Sequence, residues 1–176
     1  NDIDAQGDHI FYLFLFEAFL ELHKPMRESD SDFLDDPAKA WCSNNKLSYH
    51  CFKSIYEIYD GLAKTFHNEL KEPNPKKMSQ LKANLILECL LTTHNINICC
   101  YSGDHTLGYI LTREKNKLES ISIHSNSLCA KKAENDGKEP TTPWIFFSEL
   151  HDYGHLIAYS VTRLTENQLK YFTRFE

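Results

Sequence analysis

The sequence predicts an α+β chain in which a small helical bundle precedes a five-stranded antiparallel OB-like barrel. Three observations predict it. Up to about residue 95, apolar residues recur at three- and four-residue spacing in stretches long enough for helices. Beyond Asn95 the pattern changes to shorter runs rich in Ile, Tyr, Phe, Thr and Val. Five such runs fall within about seventy residues, and closing them into a barrel removes the two free edges that an open sheet would expose.

From Asp8 to His23 the chain is apolar on nearly every side, with Leu13, Phe16, Leu20 and Ile10, Phe14 at helical spacing. Such a helix needs partners on more than one face; Asp8 is placed to cap it, and Pro25 closes it. Glu28–Asp36 carries five carboxylates and reads as a solvated loop. Pro37 then opens a short helix with Trp41 as core anchor. Between Ser48 and Leu70 the series Leu47, Cys51, Ile55, Ile58, Leu62, Phe66 describes an amphipathic helix capped by Ser48 or Ser54. The two prolines of Lys71–Lys77 mark a connector, and a further helix runs from Met78 to about Thr93 with Leu81, Leu85, Leu87, Cys89, Leu90 and Leu91. Three helices of this kind form a bundle. The domain boundary is placed at residue 75, with the last helix linking into the barrel.

The five strands are expected at Ile96–Tyr101, Thr106–Thr112, Leu118–His124, Pro143–Leu150 and His155–Leu164. Ser102-Gly103-Asp104, Glu114–Lys117, Asn135-Asp136-Gly137 and Tyr153-Gly154 supply the turns.

With 176 residues, 41% hydrophobic and 25% charged, the chain is excluded from the disordered, collagen-like and membrane classes, and two small domains fit its length. A net charge of −6 provides no global positive field, so nucleic acid would bind through a local patch. Cys42, Cys51, Cys89, Cys99, Cys100 and Cys129 form no CxxC pair, which points to reduced intracellular thiols. No charged segment leads into an apolar one at the start, so no signal peptide is expected, and the first residue, Asn1, suggests an upstream portion.

Little in the chain resembles catalytic machinery. His151-x3-His155 would bring two imidazoles together on a helix, but it falls in a turn between strands and no second ligand pair accompanies it. Cys99 or Cys100 with His124 reads as core thiols beside a surface histidine rather than nucleophile and base. No GxxxxGK[ST], GxGxxG or GxSxG motif occurs. What remains is a surface. OB barrels hold single strands on aromatic platforms with cations nearby, and Tyr101, Tyr109, Phe146, Phe147 and Tyr159 are the candidate platforms, one or two of them exposed. Arg113, Lys115, Lys117, Lys131, Lys132 and Arg163 are the candidate cations.

Gly7, Asp8, His9 and Ile10 opening an apolar helix, followed by AWCSNNKLSYHCFKSIYEIYDGL (Ala40–Leu62), resemble the helicase-associated region of DEAH-box RNA helicases. There a GDH-led helix precedes a WC-x-x-N/H-x-L-x-Y motif, which Trp41, Cys42, Asn45, Leu47 and Tyr49 match in order. The later order is similar too: a helix from near Pro75, strands, Ile123-His124 followed by Ser127, PWIFFSEL, and a closing strand with Val161-Thr162. The resemblance runs from Gly7 to Phe172 and implies a ratchet-like helical domain followed by an OB-like fold.

The parent it implies is an ATP-dependent RNA helicase whose two RecA-like domains lie upstream and use ATP and Mg²⁺. This chain would be its accessory module, with no catalytic residue and no cofactor of its own. Single-stranded RNA, G-patch-type proteins or assembly factors are the implied partners, in pre-mRNA splicing or ribosome biogenesis, in the nucleus or nucleolus. Tyr101, Arg113, Lys117, His155, Tyr159 and Arg163 are the expected RNA-facing residues. The chain departs from the family in the turn after its third strand, in its last strands, and in the longer stretches Glu28–Asp36 and Ala130–Thr142. The usual His-Pro-Ser-Ser is His124-Ser125-Asn126-Ser127, and a Thr-Ser-Lys segment and a later Arg are replaced by Tyr153-Gly154-His155 and Tyr159. Those replacements remove charge-assisted phosphate contacts, so a protein-docking module with little RNA contact is the second expectation.

Overall fold

The computed structural model describes residues 7–23, 36–66, 80–93, 97–104, 106–112, 119–130 and 143–172. The acidic stretch 28–35, the connector 71–77, the cations Arg113, Lys115, Lys117, Lys131 and Lys132, and the turns 114–117 and 135–137 lie outside the described residues. The element order is α1 (Asp8–Leu22), α2 (Pro37–Asn44), α3 (Tyr49–Thr65), α4 (Gln80–Thr93), β1 (Ile98–Tyr101), β2 (Tyr109–Leu111), β3 (Ile121–Ile123), β4 (Trp144–Asp152), β5 (Leu156–Leu164) and α5 (Glu166–Phe172). The chain divides into two compact units, Leu13–Met78 and a second made of Asn1–Tyr12 with Ser79–Glu176.

In the helical unit, α2 starts where the Asp36 carboxylate accepts the Ala38 N–H at 3.0 Å, with Pro37 at the first helical position, where no N–H is needed. It stops at Asn45, whose backbone and side-chain N–H groups both donate to the Trp41 carbonyl, and Lys46 turns the chain at φ 57°. Ser48 caps α3, its hydroxyl accepting the Cys51 N–H at 3.3 Å. The core is Phe19, Ala38 and Cys42, with Phe16, Leu22, Trp41, Leu47, Tyr49, Phe52 and Tyr56 packed on it.

One expectation changes here. The side of α3 that packs inward is Tyr49, Phe52 and Tyr56, whereas Ile55, Ile58, Tyr59, Leu62 and Phe66 are exposed. The helix 80–93 lies in the barrel unit.

The five strands close into a barrel in the order β1-β2-β3-β5-β4. Four of the contacts are antiparallel, but β3 runs parallel to β5, pairing Ile121 with Leu156 and Ile123 with Ala158. The expectation of a wholly antiparallel barrel is therefore corrected to a mixed one, for a geometric reason. Strand directions can alternate all the way around a ring only if the ring has an even number of strands. With five, one neighbouring pair must be parallel.

Cys99, Tyr109, Ile121, Cys129, Ile145, Phe147, Ala158 and Val161 fill the barrel. A second cluster, Leu91 of α4 with Ile98, Phe146 and Leu164, takes in Leu90, Trp144 and Leu169 of α5 and covers part of the outer surface. The inward positions on β4 are Ile145, Phe147 and then Leu150, and on β5 Ala158 and then Val161. Alternation thus slips by one residue on both strands at Ser148 and Ser160, where Ser160 has φ 50°. That slip divides the outer face into a covered half and an open half.

Candidate nucleic-acid interface

The open half of the barrel's outer face is an aromatic plate. Glu149 and His151 on β4 stand opposite Tyr159 and Ile157 on β5. The His124 ring, at the end of β3, stacks on Tyr159 at 4.3 Å and 25°. Tyr159 meets His151 at 4.8 Å, and His151 lies nearly parallel to Tyr153 at 6.0 Å and 12°. Four rings therefore follow one another from β3 to the β4–β5 turn, and the last, Tyr153, is 64% exposed. The turn is tight: the Tyr153 N–H donates to the His155 carbonyl at 3.1 Å, the Gly154 N–H to Asp152 Oδ1 at 2.9 Å, and Gly154 has φ 86°. His151 Nε2 meets Glu149 Oε2 at 3.0 Å. Desolvation and the neighbouring, hydrogen-bonded Tyr153 side chain raise the Tyr159 phenol above its ordinary range.

The covered half is fastened by Gly7, Asp8 and His9. Gly7 pairs with Thr162 at φ 111°, so close that a Cβ would lie 2.5 Å from the Val161 carbonyl oxygen. Asp8, expected to cap its own helix, has a different task. Its buried carboxylate accepts the Val161 N–H at 2.8 Å and the Leu128 N–H at 2.9 Å. Ser127 adds to that turn, its hydroxyl accepting the Cys129 N–H at 3.2 Å while its own N–H donates to the His124 carbonyl. His9 lies over Phe146 at 5.1 Å, with Nδ1 2.7 Å from the Thr162 hydroxyl and Nε2 2.5 Å from that of Ser148. Burial pushes its imidazole below the usual histidine value, partly offset by the Asp8 carboxylate.

The second motif is organised by a residue that sequence reading does not single out. Asp36 receives the Tyr49 hydroxyl at 2.7 Å and faces His23 Nδ1 at 2.9 Å, besides capping α2. Desolvation opposes the carboxylate, but these three hydrogen bonds outweigh it and hold it below the usual carboxylate range. Burial and the bond to Asp36 push Tyr49 up to about 12. Trp41 sits edge-on to Phe52 at 6.1 Å, Cys42 is fully buried, and the Leu47 N–H returns to the Cys42 carbonyl at 2.8 Å. These motif residues hold the helical unit together.

Of the expected RNA-facing residues, the structure brings Tyr159 and His155 to the plate and its turn. Tyr101 packs on the barrel core, edge-on to Tyr109 at 5.6 Å. Arg163, the one Lys or Arg between residues 144 and 164, donates through Nη2 to the Cys129 carbonyl at 3.1 Å. Tyr109, Phe146 and Phe147 are buried, while Arg113 and Lys117 lie outside the described residues. Sequence reasoning misses His151 and Tyr153 as partners of Tyr159, although their two-residue spacing places them on one strand face. The thiols at the barrel core are inert: burial pushes Cys99 up to about 12 and Cys129 to about 11. Among the described residues no group of three or more His, Cys, Asp or Glu is placed to hold a metal ion, and no helix is long and apolar enough to cross a membrane. Neither the protein-family models nor the curated proteins compared with the chain give a match.

Proposed function

We propose that this chain is the C-terminal accessory module of a DEAH-box ATP-dependent RNA helicase, forming part of the RNA channel wall and docking regulatory partners in pre-mRNA splicing or ribosome biogenesis. The observation that carries the reading is the placement of the motif residues. Gly7, Asp8 and His9 meet residues about 150 positions away on β5, and Ser127 meets the same junction, so residues scattered along the chain converge on one joint. A helical unit followed by a five-stranded barrel is the architecture the resemblance implies. ATP and Mg²⁺ belong to the parent's RecA-like domains, and this chain has no GxxxxGK[ST] loop to cradle a nucleotide.

In this reading the upstream domains step along a single strand, and the barrel's open face holds RNA between steps. The test is fluorescence anisotropy of the chain with labelled single-stranded RNA across a salt series, with duplex RNA as comparison. Micromolar affinity that prefers single strands supports the reading; no binding even at low salt refutes it.

One observation favours a second reading, a protein-docking module. Ile55, Ile58, Tyr59, Leu62 and Phe66 form an exposed apolar stripe along α3. A partner retained after nuclease treatment and lost with Ile58→Lys supports it.

A further inference from the structure

We infer that the ring series His124, Tyr159, His151 and Tyr153 takes the unpaired adenine or guanine bases of single-stranded RNA, which continue the stack beyond Tyr153. The inference rests on the RNA reading above and concerns how this face holds its ligand: by base stacking instead of phosphate pairing.

Three features point that way. The first is the open end. Tyr153 has His151 almost parallel on one side, and 64% of its surface lies in solvent. Any base has a π-face to offer, and purines offer the larger one. The second is rigidity. The Tyr153 backbone is fixed by the 153–155 turn, so little main-chain freedom is lost on binding.

The third is charge. Residues 144–162 contain no Lys or Arg, and Arg163 is bonded to the Cys129 carbonyl. The charged side chains of the hairpin are Glu149 and Asp152, which repel phosphate. Each uses one carboxylate oxygen within the hairpin, to His151 and to the Gly154 N–H respectively. The other oxygen accepts an exocyclic amino group, which adenine and guanine carry and uracil lacks. The acidic margin therefore disfavours uracil, and stacking favours the purines over cytosine, which also carries an amino group.

The experiment is anisotropy of the full chain with three labelled oligonucleotides of about twelve nucleotides, oligo-A, oligo-U and an abasic strand of equal charge, between about 0.05 and 0.2 M salt. Tyr153→Ala and Tyr153→Trp are measured beside it. Tyr153 lies in an exposed turn, and unchanged circular dichroism and unfolding midpoint establish that each variant is folded. The expected result is that oligo-A binds at least about fivefold tighter than oligo-U, and that the abasic strand binds weakest. Tyr153→Ala should lower oligo-A affinity about tenfold, Tyr153→Trp should retain it, and the affinity should change little with salt.

Equal binding of oligo-A and the abasic strand overturns the inference, and so does a Tyr153→Ala variant that binds as the wild type does. If RNA binding instead falls steeply with salt and is lost on charge reversal at Arg113 and Lys117, base stacking here is wrong while the RNA-channel reading stands. If no oligonucleotide binds at low salt, both fail.

Discussion

Gly7 occupies a position that tolerates no side chain. Its φ of 111° lies in the region L-residues avoid, and an added Cβ would meet the Val161 carbonyl at 2.5 Å and Thr162 Cα at 2.7 Å, both backbone atoms that cannot swing aside. Gly7→Ala should therefore cost about 2–4 kcal/mol, visible as a lower urea midpoint at unchanged slope. Two residues on, His9 makes stability depend on pH. Its folded pKa is depressed below the ordinary histidine value, so between the two values the unfolded chain binds more protons than the folded one. Its contribution is present above about pH 6.5 and falls as the pH drops through that value toward the folded pKa. Asp36, also depressed, loses its contribution only below the ordinary carboxylate pKa, so its loss begins at lower pH than that of His9. The unfolding midpoint should drop between pH 7.5 and 5 in the wild type and stay flatter in His9→Gln; equal slopes for the two proteins would show that another group is responsible. Sequence alone marks Gly7, Asp8 and His9 as a motif without revealing what they do. Asp8 looks like a helix cap because a cap is a local event, whereas its partners are amides 120 and 153 residues away.

At the scale of elements, one carboxylate joins α2, α3 and the end of α1. Asp36→Ala removes a helix cap and leaves the Tyr49 hydroxyl and His23 without their acceptor, a loss of about 1–3 kcal/mol in denaturant unfolding. Asp36→Asn, which can still cap, should recover part of that loss. Helix α3 gives the opposite kind of expectation. Its most regular apolar series reads as the buried face, but periodicity reports only that a helix has two faces. The face chosen by the core is the one bearing Phe52 and Tyr56, whose rings fit against Phe19 and His23. Ile58→Lys on the exposed stripe should change the chain's own stability by about 0.5 kcal/mol or less while weakening any partner that docks there; a loss of several kcal/mol would mean that the stripe is core. The barrel strands are legible from their Ile-, Tyr- and Phe-rich runs, and the turn at Tyr153-Gly154 from its glycine. The parallel contact of β3 with β5 is not legible as a pattern, because it joins runs that are not consecutive in the chain. Parity alone requires one such pair once the barrel closes with five strands.

For the whole molecule, the division into two units separates two kinds of dependence on the first residues. Asn1–Tyr12 belongs with Ser79–Glu176, so the barrel unit is completed by a segment that precedes it by more than sixty residues. The core of the other unit, Phe19, Ala38 and Cys42 with its surrounding rings, uses no residue before Leu13. Removing residues 1–12 strips the Val161 and Leu128 N–H groups of a charged acceptor, removes the Gly7 pairing with Thr162, and uncovers Phe146 where the His9 ring lies. Hydrogen bonds to a charged partner contribute about 1.5–3 kcal/mol each, so two of them represent about 3–6 kcal/mol, a large part of the total stability of a small domain. A chain beginning at Leu13 should therefore lose most of its amide hydrogen-exchange protection across β4 and β5, while α2 and α3 keep theirs. Hydrogen exchange read by mass spectrometry separates the two, because local opening and global unfolding leave different peptides protected. Unchanged protection at residues 144–164 would show that the barrel closes without its N-terminal strap, and the Gly7, Asp8 and His9 joint would then need another purpose.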